Sequence, residues 1–174
     1  MLKMFSPRKY LIHRVQCSCY PNDFELKISK TFEIIDNIIF RNSKYLIETI
    51  KLLKSVGVEE DWLQLELIAH SLFKEELSWW KVIVFIGFVA EFCRYFNNVS
   101  DEYIDKMSSH LTKYLESSQV TSEWFKSQNK WKGLDEFLQH SGKEEEIVQR
   151  YLISILGFIG VTLTAATIFR TILY

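Results

Sequence analysis

The chain of 174 residues has few residues that break or cross-link a backbone, with six Gly, two Pro and three Cys. The shortage of Gly and Pro excludes collagen-like and linker-like sequences and indicates long helices. Because Cys17, Cys19 and Cys93 are an odd and sparse set, a disulfide-stapled secreted domain is not expected. We predict reduced, structural thiols in a chain that faces the cytosol.

An excess of charge of one sign is also missing. The chain has 21 Lys and Arg against 22 Asp and Glu, and its net charge is −1. This balance offers no basic surface, so no nucleic-acid partner is predicted. Apolar residues make up 48% of the chain and aromatic residues 15%, which is enough for a hydrophobic core and argues against disorder.

Catalytic and metal-binding patterns are absent from the sequence as well. The four histidines have no metal-ligand spacing among themselves or with cysteine. There is no glycine-rich phosphate loop and no Gly-x-Ser-x-Gly turn. We therefore predict a protein that is not an enzyme and needs no cofactor or metal. The four histidines are His13, His70, His110 and His140.

One long hydrophobic run is present, from Tyr151 to Phe169, bracketed by Arg150 and Arg170. At about 1.5 Å per residue, a helix over this run is roughly 28 Å long, close to the hydrocarbon thickness of a bilayer. We predict a membrane anchor over residues 150–174, with Tyr151, Phe158 and Phe169 in the membrane and residues 1–149 as a cytosolic domain. A buried core helix is the alternative, because it would give the same pattern.

The remainder of the chain shows helical periodicity. Ile28, Phe32, Ile35 and Ile39 recur at steps of four, three and four, which is one face of a helix. Asn42-Ser43 is expected to break this helix. Further apolar stripes predict helices that begin near Glu59-Glu60-Asp61, and at Ser100 and Ser122, which are expected to be helix caps.

Within residues 79–92, the nine residues between Lys81 and Glu91 carry no charge and are apolar all round except for Gly87. A helix with this pattern must be buried on every side. A buried strand is the alternative, since Val and Ile are abundant, but the neighbouring helical patterns favour a helix. We therefore predict an all-α bundle around a central apolar helix.

Two motifs resemble those of the Bcl-2 family of apoptosis regulators. Residues 71–77 (SLFKEEL), followed by residues 78–81 (SWWK) and the apolar helix, resemble the family's first homology motif, which contains Asn-Trp-Gly-Arg. Residues 124–134 (WFKSQNKWKGL) resemble the second, in which two Trp are seven positions apart. The hydrophobic tail follows where many members of the family have one.

The resemblance implies a groove on the bundle that binds the death-motif helix of a partner, and a structural role for the second motif. Lys81 stands where the family has an arginine that pairs with an aspartate of the partner helix. Trp80 replaces a glycine, so its indole would block or line the groove. Any helical core would supply the same apolar residues, so the pattern does not separate groove from core. The predicted groove residues are Ile39, Ile47, Ile50, Ile68, Leu72, Ser78, Trp79, Trp80, Lys81, Val84 and Phe88, and the second-motif residues are Trp124, Trp131 and Gly133.

The resemblance also places this chain's own death motif at residues 32–37. Phe32 stands at the family's leucine, and Asp36 and Asn37 stand at its Gly-Asp pair. Asp36 removes the close approach that glycine permits, and Asn37 lacks the pairing charge. This segment is therefore not expected to act as a donor helix.

The function implied is that of a tail-anchored pro-survival protein that sequesters pro-apoptotic members of the family and protects the outer mitochondrial membrane. A homo- or heterodimer is a further expectation, and the endoplasmic reticulum is an alternative location. Two further functions stay open: a pro-apoptotic, pore-forming effector of the same family, and an unrelated tail-anchored helical adaptor.

Overall fold

The computed structural model describes residues 5–16, 30–55, 61–95, 100–140, 147–155 and 157. The described residues form helices and short connections, with no strand among them. The all-α prediction is therefore confirmed for this part of the chain. The helices are α1 (Pro7–Gln16), α2 (Lys30–Ser55), α3 (Asp61–Phe73), α4 (Trp79–Tyr95), α5 (Asp101–Ser117), α6 (Ser122–Ser127), α7 (Lys130–His140) and α8 (residues 147–155).

Helix α4 is the centre of the bundle, and every residue from Trp79 to Cys93 is buried. Helices α1, α2, α3 and α5 all pack against it. The prediction of a central apolar helix is confirmed, and the alternative of a strand is wrong. Gly87 lets α2 cross α4 closely, because a Cβ there would lie only 3.2 Å from Cγ1 of Ile39.

Helix α2 runs unbroken through Asn42-Ser43, so the predicted break is wrong. Asn42 is buried, and its Nδ2 donates a hydrogen bond of 2.8 Å to the carbonyl oxygen of Ile38, one turn earlier. The amide of Asn42 therefore has a hydrogen-bond partner within α2, and the helix continues through this residue. The predicted apolar face is confirmed at Ile35 and Ile39, which are both buried.

Threonine, not serine, marks the junction between α5 and α6. Ser122 was predicted as a cap, but it is the first residue of α6, and Thr121 takes the cap position without a capping hydrogen bond from its side chain. The hydroxyl of Thr121 instead lies 3.0 Å from the carbonyl oxygen of Tyr114 and 3.2 Å from that of Leu115. The hydroxyl of Thr121 therefore donates to carbonyl oxygens in the last turn of α5, where such groups lack partners within the helix.

The predicted cap at Ser100 is confirmed, since its Oγ accepts a hydrogen bond of 3.2 Å from the backbone N–H of Tyr103. We expect Ser100→Ala to lower the free energy of unfolding by about 1 kcal/mol, because the N–H loses its acceptor. Urea denaturation followed by far-UV circular dichroism measures this. Ser109→Ala, at an exposed site inside α5, is the matched control and should change stability by less than about 0.5 kcal/mol. Equal losses in both variants would show that the cap contributes nothing.

Asp135 of α7 joins two distant parts of the chain. Its Oδ2 accepts a hydrogen bond of 2.8 Å from the backbone N–H of Phe5, and its Oδ1 accepts one of 2.6 Å from the hydroxyl of Thr31. Phe5 is buried, and its ring packs against Tyr10, Phe32 and Trp131. We call this pair of hydrogen bonds the Asp135 clamp.

Candidate helix-binding site

The structure places the predicted groove residues inside the bundle. Of the eleven, only Ile47 and Ser78 are half-buried, and the others are buried. Some of the predicted groove residues are buried because they face the core of the bundle. Others are buried because α8 covers them. The fully buried core members are Ile50, Ile68 and Phe88, and those beside α8 are Ile39, Lys81 and Val84.

Helix α8 packs one apolar face against α2 and α4. Val148, Leu152 and Ile155 are 2%, 1% and 2% exposed. With half-buried Tyr151, they occupy positions i, i+3, i+4 and i+7 of one stripe, which is the spacing of anchors in a helix that binds a groove. We call these four residues the α8 anchors.

The fit between α8 and the groove is tight. The cavity left between them measures about 10 Å³, at the lower limit for a single water molecule. Its lining is apolar except for Asn42, so the contact is a packed core rather than a wet interface. The lining residues are Ile38, Ile39, Asn42 and Leu46 of α2, Ile83, Val84 and Gly87 of α4, and Val148 and Leu152 of α8.

Two polar contacts fix α8 in this groove. Nε2 of Gln149 donates a hydrogen bond of 3.1 Å to the hydroxyl of Tyr45 on α2. Nζ of Lys81 on α4 lies 5.2 Å from the ring centroid of Tyr151, within the range of a cation–π interaction. The burial of Lys81 lowers its pKa, and this effect outweighs the nearby charges of Glu75 and Glu76, which raise it.

Trp80 is directed toward α7. Its indole packs edge-on against Phe137 with 5.0 Å between ring centroids, and the residue is buried. The indole is not among the side chains that line the cavity beneath α8. In the described residues, Trp80 therefore packs beside the groove rather than closing the part that α8 occupies.

The tryptophans of the two motifs meet in one aromatic cluster. Trp79 lies 5.1 Å from Trp124 and 5.9 Å from Phe125, between ring centroids. Phe125 in turn lies 5.0 Å from Trp131, which packs on Phe5 at 5.3 Å. Aromatic pairs at these distances stabilise beyond their buried area, so the cluster ties α4, α6 and α7 together.

Gly133 occupies the tightest point of the second motif. Asn129 and Lys130 have positive φ values of 63° and 52°, and this turn brings the carbonyl of Gln128 onto the Cα of Gly133. The ring of Trp79 covers the same Cα, since a Cβ on Gly133 would lie 3.0 Å from its Cζ2. Gly133 is therefore required where the α6–α7 turn packs against α4.

The segment that resembles a death motif faces α1. Asp36 accepts a hydrogen bond of 2.9 Å from the hydroxyl of Tyr10, and its other oxygen lies 2.9 Å from Nε2 of His13. Burial, foremost, and the charge of Asp36 raise the pKa of Tyr10 well above its usual range. Asn37 is exposed. Asp36 thus fastens α2 to the bundle.

A buried ion pair extends these contacts to α4. Nη2 of Arg14 lies 2.9 Å from Oε1 of Glu91, which also accepts a hydrogen bond of 2.8 Å from Arg94. Glu91 is only 3% exposed. Arg14 also lies 3.7 Å from Asp36, so one guanidinium joins α2 and α4 to α1.

Sequence reasoning missed Val148, Leu152 and Ile155 as residues of the candidate site. Their i, i+4, i+7 spacing was a usable signal, but part of it lay inside the uncharged run that was interpreted as a membrane anchor. Helix α8 also spans the predicted boundary between residues 149 and 150.

The predicted anchor falls largely outside the described residues, including Phe158 and Phe169. Among the helices that are described, none is long and apolar enough to cross a bilayer. The described part of the chain also contains no group of three His, Cys, Asp or Glu side chains that could hold a metal ion.

Comparison of this chain with protein-family models, with curated proteins and with solved structures finds no match. No relative therefore supplies a function for it.

Proposed function

We propose that this protein is a membrane-anchored, Bcl-2-like apoptosis regulator that sequesters pro-apoptotic death-motif helices in the groove between α2 and α4. The observation that carries this proposal is the docking of α8, whose four anchors have the spacing of a groove-bound helix. The outer mitochondrial membrane is the proposed location, and residues 150–174 hold the protein there once α8 has left the groove.

The contacts of α2 favour a restraining protein over a pore-forming effector. An effector must release its own death-motif helix to self-assemble. Here Asp36 is bound by Tyr10 and His13, and its neighbour Ile35 is fully buried. Releasing α2 would strand these groups, which is costly for buried polar side chains. The chain is thus better built to receive a helix than to donate one.

Helix α8 occupies the groove in which a partner helix would bind. A partner must displace it, so the apparent affinity falls by the fraction of molecules in which the groove is open. Each 1.4 kcal/mol of docking free energy lowers the apparent affinity about tenfold. The docking free energy of α8 therefore determines how tightly a partner helix must bind the open groove in order to displace α8.

Leu152→Glu in the full-length chain tests this arrangement. We expect the variant to bind death-motif helix peptides about tenfold more tightly or better than wild type, because a buried carboxylate prevents α8 from docking. Isothermal titration calorimetry with a panel of such peptides measures the change.

Ile153→Glu is the matched control, since Ile153 lies next in α8 and is 52% exposed. Its affinities should equal those of wild type. A Leu152→Glu variant that is folded by circular dichroism, yet binds none of the peptides, would overturn the proposed function.

Dye release from liposomes tests the direction of the effect. We expect the protein to suppress leakage that a pore-forming effector causes, and to cause none by itself. Leakage caused by this chain alone would contradict the restraining role and favour the effector alternative.

A further inference from the structure

Lys81 is buried in the helix-binding site, and no carboxylate of the described residues pairs with it. The residue is 5% exposed, and the ion pairs among the described residues do not include it. Its close neighbour across the groove is the ring of Tyr151, 5.2 Å from Nζ. In this protein the ring of Tyr151 therefore lies over Lys81, at the place where the family resemblance implies an aspartate of the partner helix.

A carboxylate on the incoming helix would have to be buried beside Lys81, which is itself only 5% exposed. Charges of both signs act on Lys81 from the segment before α4, since Glu75 and Glu76 raise its pKa and Lys74 lowers it. These charges therefore do not offset the cost of desolvating a partner carboxylate above Lys81. An aromatic ring avoids this cost, since its face attracts the cation and its edges pack against apolar residues.

The position of the ring within α8 is defined by the other anchors. Tyr151 comes three residues after Val148 and four before Ile155, and Leu152 follows it directly. The α8 anchors therefore have an aromatic residue at i+3 and aliphatic residues at i, i+4 and i+7. This pattern differs from a death motif that carries its aspartate at the charge-pairing position.

We propose that the groove between α2 and α4 prefers, among the death-motif helices that it binds, those that place an aromatic residue over Lys81 to those that place a carboxylate there. This inference rests on the proposed function and specifies its partner class as amphipathic helices with the α8 anchor pattern. Lys81 is then a specificity-determining residue, because it determines which side chain of the partner helix binds best at the position of Tyr151.

Peptides of residues 145–157 (EEIVQRYLISILG), titrated into the full-length Leu152→Glu protein, test the proposal. The Tyr151→Phe peptide should bind within about twofold of the parent, because the ring is kept. The Tyr151→Leu peptide should bind about tenfold more weakly, and the Tyr151→Asp peptide more weakly still. Should Leu152→Glu fail to fold, Ile155→Glu opens the same groove.

Lys81→Met is the matched control, because it keeps the length of the stem and removes the cation. In this background the preference for Tyr151 over Leu should fall to about twofold or less, which is the signature of a direct coupling. Equal affinities for the Tyr and Leu peptides, or tightest binding of the Asp peptide, would overturn the inference and leave the proposed function standing. Failure of every helix peptide to bind the opened groove would overturn both.

Discussion

Gly133→Ala is expected to lower the free energy of unfolding by about 3 kcal/mol or more. The added Cβ would overlap the backbone carbonyl oxygen of Gln128 and lie 2.9 Å from its carbon. A backbone group cannot rotate away as a side chain can, so the α6–α7 turn must open. Trp79 on the other side, 3.0 Å from the new atom, blocks a shift of the helix.

Gly157→Ala is the matched control for this prediction. Gly157 is exposed and helical, and a Cβ there would meet nothing within 4 Å. Alanine should be neutral or stabilise by up to about 1 kcal/mol, because it has the higher helix propensity. Guanidinium denaturation of both variants checks the pair. A loss below about 1 kcal/mol for Gly133→Ala would show that the turn is not fixed by this contact.

Glu91→Ala is expected to cost about 3 kcal/mol, because it breaks a buried ion pair by removing one partner. Arg14 and Arg94 would both lose the carboxylate that they share, and the contact of Arg14 with Asp36 is longer, at 3.7 Å. Two positive groups, Arg14 at 13% and Arg94 at 34% side-chain exposure, would then lose the negative charge between them. Denaturant unfolding at neutral pH measures the loss.

Asp105→Ala supplies the comparison. Asp105 pairs with Arg8 across α1 and α5, but both side chains are about half exposed, at 52% and 51%. Exposed pairs contribute roughly 0–1 kcal/mol, so this variant should change stability little. If Glu91→Ala costs no more than Asp105→Ala, the buried pair has no special role in holding α1 to α4.

The helices of this bundle were predictable because each one has a buried face that repeats in the sequence. The steps of four from Met107 to Leu111 and Leu115 mark the buried side of α5, and all three residues are buried. The break at Asn42 was mispredicted because asparagine bonds the backbone either inside a helix or at its end. Sequence spacing does not distinguish these two uses, which depend on the neighbouring helix.

The candidate site was predictable only in part. Periodicity identified Ile39 as a buried residue, and the all-round apolar run identified Val84. Neither pattern distinguishes a core position from a groove that a helix fills. The contact between Lys81 and Tyr151 joins residues 70 positions apart, and such pairs follow from packing rather than from local pattern. The apolar face of α8 was not recognised because part of it lies in the uncharged run that begins at Tyr151. Apolar residues are favoured both in a bilayer and in a groove, so the sequence does not distinguish the two.

The Asp135 clamp has a consequence for the order in which this protein folds during synthesis. Asp135 binds residues that lie 130 and 104 positions earlier in the chain. Phe5 and the first turn of α2 therefore leave the ribosome long before their partners are made, and closing loops of this length is slow. Until α7 emerges, Phe5 lacks its packing against Trp131, and exposed apolar surface of this kind promotes aggregation. The two hydrogen bonds of the Asp135 clamp can form only after translation has passed Asp135.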